Sequence, residues 1–311
     1  MFRGLVLALG FLFTAADAPA ARPSLAYVLQ AEKLAGSRGK VVAKLAGCGR
    51  DRIVLDAFFT GGAGGRWKKS EIAKIRAGKP GRKVIAYLSI GEAEDYRSYW
   101  RREWDGNKDG KPDAGAPDWL LGENPNWEGN YRVRYWDKDW QRIILRETDK
   151  IRKSGFDGVY LDIVDAFEGF EYDPEKDAWI DNRINPATGR SYRSDMVRWV
   201  SRIAVQTRKK RRGFLIVPQN GPQLLAKSRY RKTISAIGIE DLFTDGNRRQ
   251  NRGETKYRLG FLKKLRGTKP VFVIEYGNKA DARKRSIDGA ASRGFSLLLT
   301  DRELTGLGES P

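Results

Sequence analysis

The feature that most constrains this chain is a repeat. Eight short apolar runs occur, each followed by a polar or glycine-bearing loop and mostly by a stretch with helical periodicity. The runs are LAYVL (25–29), IVLDAFF (53–59), VIAYLSI (84–90), GVYLDIV (158–164), FLIVPQN (214–220), ISAIGIEDLF (234–243), VFVIEYG (271–277) and FSLLLTD (295–301). Near-continuous runs of Val, Ile, Leu and aromatic residues suit strands buried on both faces, as in a parallel sheet covered by helices. Helical candidates lie between them at 70–77, 138–154, 194–210, 255–266 and 280–293. Strands alternating with helices predict parallel strands joined by crossovers, and eight such runs predict an α/β fold of the TIM-barrel, (β/α)8 type. A doubly wound open sheet is the alternative, but no glycine fingerprint follows an early run.

Two long interruptions break the rhythm, 91–136 after the third run and 168–194 after the fourth. Both are rich in Gly, Pro, Asp and Asn, which marks long loops rather than a second domain. Both leave the C-terminal ends of strands, where barrels build their sites, so both are expected to wall a cleft. The start, MFRGLVLALGFLFTAADAPAA, has a basic Arg3, an apolar run over 4–13, and Ala18 and Ala20 in A-x-A spacing. That pattern predicts a signal peptide over 1–20, a single domain over 21–311, and a secreted or periplasmic protein. No later stretch is long and apolar enough to span a bilayer, so no stable membrane insertion is expected. Cys48, the sole cysteine, can form no internal disulfide. Its LAGC context looks like a lipidation box but lies beyond Arg38, Lys40 and Lys44, well past the apolar run, so Cys48 reads as structural.

The residue inventory removes several chemistries. There is no histidine, which excludes a Ser-His-Asp triad and His-ligated zinc. One cysteine excludes thiolate clusters, and no phosphate-binding G-x-x-x-x-G-K-[ST] motif occurs. The 59 Lys and Arg against 39 Asp and Glu give a net charge of +20, which raises a polyanionic partner. The bases are nonetheless spread along the chain, apart from clusters such as RKKRR (208–212). No nucleic-acid motif accompanies them, so the reading is a solvated basic surface without a specific nucleic-acid partner.

What remains is carboxylate chemistry. Burying an ionised carboxylate is costly unless it is paired or hydrogen-bonded, yet Asp162 ends an apolar run. Strand alternation places Asp162 and Tyr160 inside the barrel if Val159, Leu161 and Ile163 face outward. The same reasoning turns Glu240 inward with Ile237 and Ile239 outward, and Asp56 inward with Ile53 and Leu55 outward. It also predicts Glu275 inward with Phe272 and Ile274 outward. One such acid is readily explained by pairing with an arginine, but four at the C-terminal ends of strands point to a site. A carboxyl pair can protonate a leaving oxygen while its partner attacks an anomeric carbon or activates water. Trp100, Trp104, Trp119, Trp127, Trp136 and Trp179 fall in the predicted loops, available for stacking on sugars or for packing. DGNKDGKPD (105–113) follows the first positions of a calcium loop, but Ala116 stands at the twelfth, so a polar turn suffices and no metal is assigned.

The segments AYLSIGEAEDYRSYW, GNYRVRYWDKDWQRII, GFDGVYLDIVDAFE, QNG, IGIEDLF and FVIEYGN, in that order, resemble the endo-α-1,4-polygalactosaminidase-like glycoside hydrolases of family 114, over about Leu25 to Leu304. The resemblance implies a (β/α)8 barrel, secretion, and endo-hydrolysis of α-1,4-linked galactosamine polymers without metal or organic cofactor. It also implies Asp162 and Glu240 as the catalytic pair, read as nucleophile and acid/base, with Glu275 as the rival partner. Asp56, Tyr87, Glu92, Tyr160, Asn220, Asp245, Glu275 and Tyr276 are expected to bind substrate around the mouth. The expected partner is an extracellular polysaccharide, met by a monomer. Unacetylated galactosamine is cationic, which suits an acid-lined cleft and conflicts with a charge of +20. A different polysaccharide, or a sugar-binding barrel without turnover, therefore stays open. Carboxyls about 5–5.5 Å apart imply retention and about 6.5–9.5 Å inversion; retention is the expectation.

Overall fold

The computed structural model describes residues 22–60 and 65–311; the expected signal peptide over 1–20 lies outside them. All eight apolar runs form strands. They are β1 (Leu25–Val28), β2 (Arg52–Asp56), β3 (Lys83–Ser89), β4 (Gly158–Asp162), β5 (Leu215–Pro218), β6 (Ile237–Glu240), β7 (Val271–Glu275) and β8 (Ser296–Leu299). Parallel ladders run in order from β1 to β5 and from β6 to β8. A parallel bridge between Gln219 and Gly238 joins the two sets. The β8–β1 seam is filled by the C-terminal segment: Glu309 pairs antiparallel with Leu299, and Ser310 Oγ accepts from Leu25 N. The chain therefore has the parallel, helix-wrapped α/β architecture that the repeat predicts.

The principal helices are α1 (Arg38–Gly47), α2 (Lys69–Ala77), α3 (Lys138–Lys153), α4 (Tyr192–Lys210), α5 (Ser228–Thr233), α6 (Arg252–Leu262) and α7 (Ala280–Ala291). Their starts carry the expected chemistry. Asp137 accepts from Asp139 N and Trp140 N, and Asn251 accepts from Gly253 N and Glu254 N, satisfying donors that the first turn leaves free. In α3, Trp140, Ile144 and Ile151 recur at helical spacing and are buried, while Lys150, Arg152 and Lys153 favour its C-terminal dipole. Cys48 follows α1 and packs against the outer core, which fits its structural reading.

The core has two shells. Leu25, Tyr27, Val54, Ile85, Tyr87, Tyr160, Val217, Phe272, Ile274 and Leu298 fill the space inside the strands. Ile53, Leu55, Val159, Leu161, Ile237, Ile239, Val271 and Val273 face the helices. Gly238 is required where it stands, because a Cβ there would lie 1.8 Å from the Tyr160 hydroxyl that fills the barrel interior.

The two interruptions are more regular than their composition suggests. Residues 91–136 carry a three-stranded antiparallel sheet, with Trp127–Val133 between Glu92–Glu94 and Leu120–Asn124. Tyr131 and Val133 bury one face of its middle strand. Residues 168–194 hold two short hairpins instead, Tyr172–Asp173 with Ala178–Trp179 and Ile184–Asn185 with Arg190–Ser191. Most of the loop tryptophans are packing residues: Trp104 and Trp119 are buried against Trp100 and Trp140, and Trp136 packs on Phe170 and Tyr192.

Candidate active site

At the C-terminal end of the strands lies a cleft of about 440 Å³. Its floor is made by β4, β5 and β6, each of which ends in the same way. Asp162, Gln219 and Glu240 stand at or just beyond the last strand positions. The next residue of each adopts left-handed backbone: Ile163 at φ 54°, Asn220 at 57° and Asp241 at 48°. That conformation is uncommon for any residue other than glycine and strained for a β-branched one such as Ile163. It turns the Ile163 N–H back onto Asp162 Oδ1 at 2.8 Å. Gly91 makes room for this turn, since a Cβ there would meet the Ile163 carbonyl at 2.1 Å.

Three strand ends converge on one amide. Gln219 Nε2 donates to Asp162 Oδ1 at 3.1 Å and to Glu240 Oε2 at 2.7 Å. Those two legs cap the separation of the two acceptor oxygens at their sum, 5.8 Å. Asp162 Oδ2 accepts from the Tyr87 hydroxyl at 2.8 Å. Glu240 accepts from Tyr276 at Oε1 and from Asn220 Nδ2 at Oε2, 3.3 Å. Both carboxyls are half-buried and open to the cleft.

Their proton affinities differ in cause. Burial raises Glu240 to about 7, with the neighbouring Asp162 charge adding to the rise and the Tyr276 and Asn220 bonds opposing it. Burial also raises Asp162 above its ordinary value, opposed by the bonds from Tyr87 and from the Ile163 main chain. Glu92 rises to about 7, chiefly by burial, although Asn124 Nδ2 donates to it at 2.8 Å. Asp165, also in the lining, is pushed well up by burial and by Glu168 and Asp162.

The remaining predicted residues divide. Asp56, Tyr87, Glu92, Asn220 and Tyr276 line the cleft. Asp56 does so with both oxygens engaged, because Arg97 binds it through two 2.8 Å bonds and the same guanidinium grips Glu94. Tyr160 points inward but lies buried beneath the floor, not in the lining, against Tyr27 at 5.0 Å between ring centroids. Asp245 is exposed on a small hairpin away from the cleft. Glu275 is the clearest correction. It faces the helix layer with Val271 and Val273, while Phe272 and Ile274 fill the barrel, the reverse of the predicted parity. There it is fully buried, accepting from Phe243 N at 2.7 Å and from Thr244 N and Oγ1. Its rise to about 7 reflects burial in a structural position. The reversal turns Tyr276 inward.

The first excursion sheet supplies the cleft wall through Glu92, Glu94, Trp127 and Asn130; the second excursion contributes nothing to the lining between 168 and 194, against expectation. Trp127, half-exposed, is the one loop tryptophan in the cleft. Gln219, Arg97, Glu94 and Arg302 were missed by the sequence reading. Only Gln219 stood beside a flagged position, and Arg97 and Glu94 gave no signal beyond lying in a quoted segment. Seven carboxylic residues and two arginines line the cleft, so a chain of net charge +20 presents a locally acidic groove. Arg97 is held by Asp56 and Glu94, and Arg302 by Asp241, so neither guanidinium stands without a carboxylate partner. In the 105–113 loop the acids accept main-chain N–H groups, as in Asp105 to Asp109 N and Gly110 N. Among the described residues no cluster of three His, Cys, Asp or Glu is arranged to hold a metal.

Known proteins are similar to this chain in sequence and in fold. A family model described as glycoside-hydrolase family GH114 matches residues 44–311. An uncharacterized protein of Deinococcus radiodurans is 35% identical over 254 residues, 81% of this chain and 73% of the relative. In fold, the chain is similar to Aspergillus fumigatus Ega3 in complex with galactosamine, with a TM-score of 0.62 and 21% identity over 97% of this chain and all of the other. It is also similar to the glycoside hydrolase domain of PelA from Pseudomonas aeruginosa, with a TM-score of 0.60 and 18% identity over 93% of this chain and 98% of that one. The family match runs through β2 to β8 and takes in both carboxyls held by Gln219, and the chain belongs to glycoside-hydrolase family GH114.

Proposed function

We propose that this glycoside hydrolase is exported and cleaves α-1,4-linked galactosamine-containing polysaccharide internally, by a retaining two-carboxylate mechanism. The observation that carries the mechanism is the shared amide of Gln219. An oxygen–oxygen separation of at most 5.8 Å lies below the roughly 6.5–9.5 Å that an inverting pair keeps and near the spacing of a retaining one. Asp162 is read as the nucleophile, as the sequence resemblance implies, and the Tyr87 hydroxyl and the Ile163 N–H stabilise its charged form. Glu240, with a pKa of about 7, holds a proton to give the leaving oxygen and, once ionised, takes one from the incoming water. The covalent bond from Asp162 to the anomeric carbon forms as the glycosidic C–O bond breaks, and water later cleaves it with Glu240 as base.

Substrate identity rests on charge. The acidic groove suits a sugar that bears an ammonium group, and the Ega3 structure named above holds galactosamine. Glu92 and Asp165, in the lining beside Asp162, supply further carboxyls for such amines. Trp127 on the wall offers an aromatic face to a neighbouring ring, and internal cleavage rests on the sequence resemblance. Export rests on the sequence pattern at 1–20.

Mass spectrometry of products tests the reading. Partially deacetylated galactosaminogalactan and a panel of neutral and uronic-acid polymers are incubated with the mature protein and with Asp162→Asn. Oligosaccharides released from the galactosamine polymer by the parent alone are expected. Release only from another polymer overturns the substrate, and binding without any cleavage overturns turnover.

A further inference from the structure

Outside the cleft, the flank between α6 and α7 carries a second cavity of about 390 Å³ that shares no lining residue with the first. Its lining reverses the charge of the cleft. Arg249, Arg252, Lys256, Arg285 and Arg293 surround it, and no carboxylate contributes. Among the described residues none of these five cations forms a salt bridge, although carboxylates elsewhere on the surface recruit partners freely. Five like charges held together without a counter-charge repel one another, and an anion among them relieves that repulsion.

The pocket is built as well as charged. Arg285 is half-buried, and its Nε is fully enclosed with no hydrogen-bond partner. Its Nη2 donates to the Asn247 carbonyl at 3.2 Å, which fixes the guanidinium. The floor is apolar: Phe243 and Leu259 line it. Phe243 is held from two sides, by Arg293 over its ring at 5.4 Å and by Gly289, where a Cβ would come within 2.8 Å of the ring. The side chain is therefore not free to swing out and intercalate between bases, which disfavours a single-stranded nucleic acid. Fixed donors above a rigid apolar floor, in a space the size of one or two sugar rings, fit a ring that carries an anion.

We propose that this pocket binds an anionic sugar residue, its charge a carboxylate or a phosphate, and so tethers the enzyme to an anionic glycan while the acidic cleft works on its own substrate. The five cations supply the charge-assisted bonds, and Leu259, half-buried in the lining, offers an apolar contact to the ring. The site is independent of the catalytic reading, because none of its residues touches Asp162, Gln219 or Glu240.

Isothermal titration calorimetry on the mature protein tests this with four probes: trigalacturonate, galactose 6-phosphate, inorganic phosphate and neutral maltotriose. Binding of trigalacturonate or galactose 6-phosphate, with maltotriose silent, is expected, and the stronger of the two identifies the source of the charge. Arg249→Gln/Arg285→Gln should weaken that binding about tenfold or more, since charge-assisted hydrogen bonds are the strong ones. Arg252→Gln/Lys256→Gln, both exposed in the first two turns of α6, repeats the test should the first variant fold poorly. Hydrolytic turnover should stay unchanged in both. Three results overturn the proposal: no binding of either anionic sugar, inorganic phosphate binding as tightly as the sugars, or equal weakening by Lys209→Gln/Arg212→Gln, a pair of exposed cations on another face that serves as a charge control.

Discussion

The Tyr276 hydroxyl donates to Glu240 Oε1, and the Arg302 guanidinium lies 4.2 Å from the centre of the Tyr276 ring. The tyrosine thus favours the ionised form of the group proposed to deliver the proton.

A pH profile reads this contact directly. Glu240 of the free enzyme titrates at about 7 and acts as an acid only when protonated, so kcat/KM is expected to fall as pH rises through that value. Tyr276→Phe removes a donor from the charged carboxylate, which raises its pKa, and the falling limb should move to higher pH. A limb that stays in place or moves to lower pH refutes the assignment of Glu240 as the acid.

Removal of either carboxyl should stop the chemistry and spare the fold. Asp162→Asn and Glu240→Gln are each expected to lower kcat by about 10²–10⁴-fold or more, with little change in melting temperature. Proton NMR of the first-formed anomer in the parent enzyme should show the configuration of the cleaved bond retained. An inverted product contradicts the close carboxyl pair.

Glu275 should behave as a structural group. Its carboxyl is fully buried and serves Phe243 N and Thr244, so Glu275→Gln should destabilise the protein by about 1–3 kcal/mol while leaving kcat/KM of the folded fraction within a few-fold. Its folded pKa, about 7, lies above its ordinary 4.5, so its contribution to stability is full below about 4.5 and lost as pH rises through 7. Thermal melts from pH 4.5 to 8 should therefore slope less steeply in Glu275→Gln. An unchanged slope in the variant contradicts this.

Arg97 holds two buried carboxylates, Asp56 and Glu94, on the cleft wall. Arg97→Met leaves both without their counter-charge, and urea unfolding should show a loss of about 3–5 kcal/mol. A loss below about 1 kcal/mol disproves its role as a clamp.

The sequence by itself determined the architecture and part of the site. Eight apolar runs with helical stretches between them can bury their backbones only as covered parallel strands, and all eight appear. Glu240 was legible because Ile237 and Ile239 are bulky and apolar while Gly238 is not, so the period of two sets the acid's face. Asp56 and Asp162 end runs that are apolar on both faces, and their placement rested on the acid ending the strand. Glu275 was not legible, because VFVIE is apolar at every preceding position and both faces can be buried; alternation then carries no direction. Packing inside the barrel chose Phe272 and Ile274, and that choice turned Glu275 out and Tyr276 in. Gln219 was unreadable for a deeper reason. An amide after a proline has no pattern of its own, and its role arises only where the ends of β4, β5 and β6 bring two carboxyls within reach of one nitrogen. Only the tertiary structure decided which acids meet, because strand periodicity specifies a face and not the distance between neighbours.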